Sequence, residues 1–289
     1  MKNLFNIIVI VLSIVIGFVI WEFIMGAGQN FEKKDKLDSQ GKPMYEMVKD
    51  QSGNMVQQKV QEPNRKKPLS GNVLGMIYTG GPLVAVLMGL IIIAITFTIE
   101  RLLSINKAKG KGDIALYIKN MMTHLNAENY EEALKECEKK RGSLANIMRA
   151  SIERYLQVKD DNEIDKEKKM SEVQRAIDEA TNLETPLLEK NLVILSTVAS
   201  ISVLVGLLGT TIGMIRAFAA FGEQGSVDAT QLAIGISEAL YNTAGGLGAA
   251  IISIVSFNFF TTMVDNYVYM IDEAILNVSQ LFTIRMKKN

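Results

Sequence analysis

Four long apolar stretches, each nearly free of charge, alternate with strongly polar segments: 4–24, 77–99, 191–218 and 229–260. A helix needs about 20 mostly apolar residues to cross the hydrocarbon core of a bilayer, and each stretch is that long. Inside lipid every backbone N–H and C=O must be satisfied within the segment, which leaves helices as the structure for such isolated stretches. The average composition hides this segregation, because 21% charged and 48% hydrophobic residues would suit a soluble protein. The 31 basic and 31 acidic residues cancel, so nothing points to nucleic acid or to an acidic substrate. Cys137 is the single cysteine and excludes an intrachain disulfide; its charged surroundings read as an inert helix position. His124 is also single and no metal site is expected around it. Gly110-Lys111-Gly112 lacks the rest of a phosphate-binding loop, and no nucleophile–base set stands out, so neither an enzyme nor a cofactor is expected.

The pattern divides the chain into an N-terminal transmembrane anchor at 1–24, a linker at 25–71, a span at 72–101, a helical region at 102–190, spans at 191–222 and 226–263, and a C-terminal helix at 264–289. A signal peptide is the alternative reading of 1–24, but its apolar stretch exceeds the usual core of about 7–15 residues. Trp21 is expected at the membrane interface. Residues 25–71 hold Pro43, Pro63 and Pro68 with little apolar periodicity, and read as an extended, poorly ordered linker. From 102 to 190 apolar spacings of three and four predict amphipathic helices around 114–125, 130–137, 144–156 and from 171 onward, punctuated at Asn126, Gly142 and 160–162. Pro186 marks either a first helical turn or a kink. Val264, Tyr267, Ile271, Ile275, Val278 and Phe282 extend a helical stripe beyond the fourth span without a break.

Lys107, Lys109, Lys111, Lys190, Arg285, Lys287 and Lys288 all become cytoplasmic if the chain crosses four times with both termini inside. The 25–71 segment is then periplasmic although it carries Lys33, Lys34, Lys36 and Arg65-Lys66-Lys67, against the charge rule.

The last two spans hold the polar residues that apolar helices have least reason to keep. Ser202, Gly206 and Thr210 recur four apart, as do Gly209 and Gly213; Gly235, Ala239 and Thr243; and Gly245, Ala249 and Ser253. Such rows let helices approach closely in lipid, and their number implies contacts on several sides, as in an oligomeric bundle. Thr210 lies about 18 Å from the end of its span near Gly222, and Thr243 about 22 Å from a helix start near Asp228, at 1.5 Å per residue. Antiparallel neighbours would bring the two threonines to similar depth. Glu238 and Asn242, four apart, share a face, so Thr210, Thr243, Glu238 and Asn242 are candidates for one polar seam holding water or a travelling proton. The plainer alternatives are a threonine bonded to its own preceding carbonyl and a glutamate solvated at the outer interface.

Gly206-Leu-Leu-Gly-Thr-Thr-Ile-Gly-Met-Ile215, with Ala217-Phe218 after it, and Gly235-Ile-Ser-Glu-Ala-Leu-Tyr-Asn-Thr-Ala-Gly-Gly-Leu247, with Asn258 further on, resemble the signatures of ExbB and TolQ proteins within the MotA/TolQ/ExbB proton channel family. The resemblance runs from about Leu74 to Phe260. It implies an all-α membrane protein whose long helices extend into the cytoplasm, assembled as a pentameric ring in the bacterial inner membrane around helices of a single-span ExbD-like partner. It implies a TonB-like protein as the recipient of the work. The family's pore threonines fall on Thr210 and Thr243, and its pore glutamate on Glu238. Ser202-Val203 and Ile252 stand where the family usually has prolines, so no kink is expected there. With no carboxylate expected at mid-depth, the proton carrier falls to the partner, and the threonines become its lining. A TolQ-like or MotA-like role, or a passive oligomeric scaffold, are the competing expectations.

Overall fold

The computed structural model describes residues 2–49, 55–161, 163, 165–224 and 229–288. Four helical stretches, Asn6–Met25, Pro82–Asn126, Lys166–Ala219 and Leu232–Met286, each contain a segment long and apolar enough to cross a membrane. The helices are α1 (Lys2–Val19), α2 (Val73–Tyr78), α3 (Pro82–Lys109), α4 (Ile114–Asn126), α5 (Tyr130–Lys140), α6 (Ser143–Lys159), α7 (Lys166–Glu189), α8 (Leu192–Gln224) and α9 (Ala229–Lys288). The chain is thus a predominantly α-helical membrane protein, and it divides into two compact units.

The first unit holds residues 1–96 and 196–254. Here α1 passes into a single π-helical turn, Ile20–Met25, which carries Trp21 and Glu22. It meets α3 where both lack a side chain: a Cβ on Gly17 would lie 2.6 Å from the Ala85 carbonyl, and one on Gly89 would lie 2.9 Å from Ile14 Cα. Asn30, buried, ties the end of this span to the next helix. Its Nδ2 donates to the Ile24 and Met25 carbonyls at 2.8 and 2.9 Å, and its Oδ1 accepts from Asn72 Nδ2 at 3.1 Å. Asn72 in turn caps α2 by accepting from the Gly75 N–H.

Residues 25–71 depart from the expected poorly ordered linker. Strand β1 (Phe31–Asp35) pairs antiparallel with β4 (Gln61–Pro68), and β2 (Tyr45–Lys49) with β3 (Met55–Lys59). An Asx turn starts the excursion, with Asp38 Oδ1 accepting from the Gln40 and Lys42 N–H groups and Gly41 at φ 77°. Strands β2 and β3 are exposed on both faces, Tyr45, Met47, Met55 and Val56 included, so neither shows the burial alternation of a half-buried strand. Pairing and turn chemistry hold them instead.

The second unit holds residues 97–195 and 255–289. Side chains of Asp113, Asn129 and Asp165 cap α4, α5 and α7. The corner between α5 and α6 requires glycine: Gly142 has φ 93°, and a Cβ there would lie 2.3 Å from the Ala108 carbonyl. The C-terminal stripe expected on α9 is buried at Val264, Tyr267, Ile271, Val278 and Phe282. Tyr267 donates to the Ala108 carbonyl at 2.9 Å and accepts from the Leu144 N–H, while Phe282 stacks on Tyr155 with centroids 4.2 Å apart. On α4 the buried face is Tyr117, Met121 and Leu125; Leu116, counted with the apolar face in the sequence, is exposed. Pro186 neither starts nor breaks a helix but lies inside α7, and the break falls at Asn191, with φ 67°. Of the expected break at 160–162, Asp160 caps α6, and Asn162 lies outside the described residues.

Candidate functional site

Helices α8 and α9 run antiparallel along a seam made of missing side chains. A Cβ on Gly206 would sit 3.2 Å from Gly246 Cα, one on Gly213 2.9 Å from the Gly235 carbonyl, and one on Gly235 2.7 Å from Ala217 Cβ. Gly209 makes room for a larger neighbour: its Cβ would lie 2.3 Å from that of Asn242. Without a hydrophobic drive between helices in lipid, backbone approach of this kind supplies the association. Gly245, grouped with these glycines in the sequence, faces Leu87 of α3 at 3.3 Å, and Gly246 closes on the Ser202 carbonyl in its place. Among the described residues α8 and α9 are continuous through Ser202-Val203 and Ile252.

The register carries Thr210 to the level of Asn242 and Thr243, since Gly209 meets Asn242 and Gly206 approaches Thr243 Cα at 3.5 Å. Both hydroxyls donate within their own helix, Thr210 to the Leu207 carbonyl at 2.7 Å and Thr243 to Ala239 at 3.4 Å. Both are half-buried. Each oxygen keeps lone pairs that can accept from an incoming acid proton. From Ala239 to Val264, α9 carries no carboxylate.

The two other members of the expected seam do something different. Asn242 is 1% exposed, and its Nδ2 donates to the Gly80 carbonyl at 2.8 Å and to that of Glu238 at 3.0 Å. It fastens α9 to the turn before α3 and is enclosed by protein, while its Oδ1 stays buried without a partner. Glu238 is ion-paired with Arg216 of α8 and does not stand alone. Its side chain is 13% exposed against 55% for Arg216. Arg216 was not among the expected site residues; the signal for its role is the antiparallel register, which brings positions 216 and 238 together. Gly81, at φ 79°, leaves room for the carboxylate, since a Cβ there would lie 2.7 Å from Glu238 Oε1.

A second ionic cluster was not anticipated. Arg65 of β4 donates to Glu22 Oε1 at 2.7 Å and to Tyr78 Oη at 3.0 Å, and Tyr78 stacks on Trp21 with centroids 4.7 Å apart. The Glu22 hydrogen bond holds the Arg65 guanidinium above its ordinary pKa.

Residues 139–273, which contain the α8–α9 seam, match the family model of the MotA/TolQ/ExbB proton channel family. The chain resembles that family over those residues, just under half of its length. It is similar to an ExbB-like biopolymer transport protein of Synechocystis, 36% identical over 95 residues, or 32% of this chain and 45% of that protein. The Tol-Pal system protein TolQ of Pseudomonas aeruginosa is 35% identical over 115 residues, 40% and 50% of the two chains. The biopolymer transport protein ExbB of Aquifex aeolicus is 43% identical over 77 residues, 27% and 52%. The chain spans about half the length of the curated relatives it matches. Relatives bear both ExbB and TolQ names, and the family is one of proton channels rather than enzymes. Four membrane-competent helices together with this similarity point to a multi-pass membrane protein.

Proposed function

We propose that the chain is the channel-forming subunit of an ion-driven motor, which with an ExbD-like single-span partner turns the proton gradient across the bacterial inner membrane into mechanical work for TonB-dependent outer-membrane transport. The observation that carries this reading is the level pair Thr210 and Thr243 on a close-packed seam lacking a carboxylate of its own at that depth. A proton cannot cross dry hydrocarbon without a titratable carrier or water, so the carrier is a partner's carboxylate. The two hydroxyls solvate and orient it. Each charge moved through 100 mV yields about 2.3 kcal/mol, enough to drive a conformational step of the partner helices. A ring of copies, five by family likeness, encloses those helices. The exposed apolar side chains of α8 and α9, among them Leu204, Leu208, Ile215, Leu240, Leu247 and Ile251, need neighbours or lipid. Glu238, paired with Arg216, stands at the mouth of the path, and Asn242 holds its wall.

The test is proton flux in liposomes holding the chain with its partner. Thr210→Ala or Thr243→Val is expected to abolish flux and gradient-driven work with the assembly intact. Wild-type flux in both variants would overturn the threonine role, and no flux under any partner would favour a passive scaffold. The TolQ-named relatives support one competing role in the same class, envelope maintenance, and a motility stator is another. Loss of TonB-dependent uptake on deletion, with envelope integrity preserved, separates the transport role from both.

A further inference from the structure

At one end of the first unit a cavity of about 380 Å³ is lined by Trp21, Arg65, Tyr78, Arg216 and Glu238, with Thr79, Ile234 and small residues between them. It joins the two ionic clusters, Arg65–Glu22 and Arg216–Glu238, which come from four different elements. Three observations bear on its occupant. The Trp21 indole N–H is buried and has no hydrogen-bond partner, although this residue lines the cavity. Two guanidinium groups with five N–H donors each are only partly consumed by their carboxylates. The two arginines and two glutamates cancel, so a purely anionic guest would leave an uncompensated charge. The site lies where the π-helical turn, α2 and the outer turns of α8 and α9 meet, and its stacked Trp21–Tyr78 pair is of the kind that marks a membrane–water interface.

We propose that this cavity binds the headgroup of a zwitterionic phospholipid bearing a primary ammonium, phosphatidylethanolamine. Its phosphate accepts from the Trp21 indole and the spare guanidinium N–H groups. Its ammonium donates to free lone pairs of Glu238, the carboxylate that lines the cavity. The net charge stays zero, and the orphan donor gains its acceptor. A quaternary choline head offers no N–H to that carboxylate, and a glycerol head offers no cation. The inference rests on the cavity and not on the proton-channel reading, since half of its lining lies outside the residues that match the family.

Trp21 is the only tryptophan, so its fluorescence reports this cavity alone. The purified full chain is titrated in detergent with short-chain phosphatidylethanolamine, phosphatidylglycerol, phosphatidylcholine and water-soluble phosphoethanolamine. A saturable change is expected with phosphatidylethanolamine, at least tenfold tighter than with the other three, and weakened tenfold or more in Arg216→Gln and Arg65→Gln. Circular dichroism checks that both variants keep wild-type helix content. Equal response to all lipids, or to free phosphoethanolamine, overturns the proposal, as does unchanged affinity in both variants. Trp21→Phe keeps the ring and removes the N–H donor. Native mass spectrometry of that variant should show loss of co-purified phosphatidylethanolamine, and undiminished retention would also refute the assignment.

Discussion

Asn242 occupies the volume that Gly209 leaves free, and the two positions make a sharp contrast with Gly245. A methyl on Gly209 collides with Asn242 at 2.3 Å, whereas one on Gly245 meets only the flexible end of Leu87 at 3.3 Å. Gly209→Ala is therefore expected to destabilise the α8–α9 packing by about 1–3 kcal/mol, the usual cost of overpacking. Gly245→Ala should leave it nearly unchanged; thermal unfolding in detergent compares the two, and equal midpoints would refute the packing account. The Arg216–Glu238 pair has a smaller expected worth, about 1 kcal/mol, because Arg216 is more than half exposed and solvent screens it. A double-mutant cycle with Arg216→Gln and Glu238→Gln should return a favourable coupling of that order; zero coupling would make the pair incidental. Cys137 is 4% exposed, and burial pushes its thiol up to about 11. Since the thiolate is the reactive form, maleimide should label it slowly near pH 8 in the folded protein and rapidly after denaturation, with folded-state labelling accelerating as pH rises towards 11. The small-residue rows were legible in the sequence because close approach in lipid leaves a four-residue signature. The partner of Glu238 was not, because it lies 22 positions away and only helix register reveals it.

At the scale of elements, the β-strand segment shows where sequence periodicity loses its information. Helix spacings worked for α4 to α7 and for the unbroken α9 because each buries one stripe. Strands β2 and β3 bury neither face, so composition made them look like linker. The same fact sets their stability. An isolated two-stranded hairpin is marginal in water, and nothing among the described residues covers β2–β3. Strands β1 and β4 have an anchor: Phe31 is buried edge-on against Tyr78 at 5.4 Å, and Arg65 is held by Glu22. Amide hydrogen exchange should be fast at 45–49 and 55–59 and slower at 31–35 and 61–68. Uniform protection across the four strands would show that β2–β3 is covered by another copy or a partner.

Across the whole molecule, four crossings would place residues 26–81 and 102–190 on opposite sides of the membrane, with both termini beside the latter. The positive charges of 107–111, 190 and 285–288 favour the cytoplasm for that side, while those of 33–36 and 65–67 oppose it. Structure softens the conflict in part, because Lys34, Lys59 and Arg65 of this segment are paired with Glu62, Asp35 and Glu22. The decisive measurement uses single cysteines in a Cys137→Ser background, at the exposed positions Gln57 and Glu138. With four crossings and both ends inside, a membrane-impermeant maleimide labels Gln57→Cys in intact spheroplasts and labels Glu138→Cys only after lysis. The reverse pattern would invert the chain and send the Arg216–Glu238 mouth to the cytoplasmic side, so that protons would meet the level threonines before that ion pair. Labelling of both positions from outside would break the four-crossing scheme itself, and with it the antiparallel depth argument for a shared proton path.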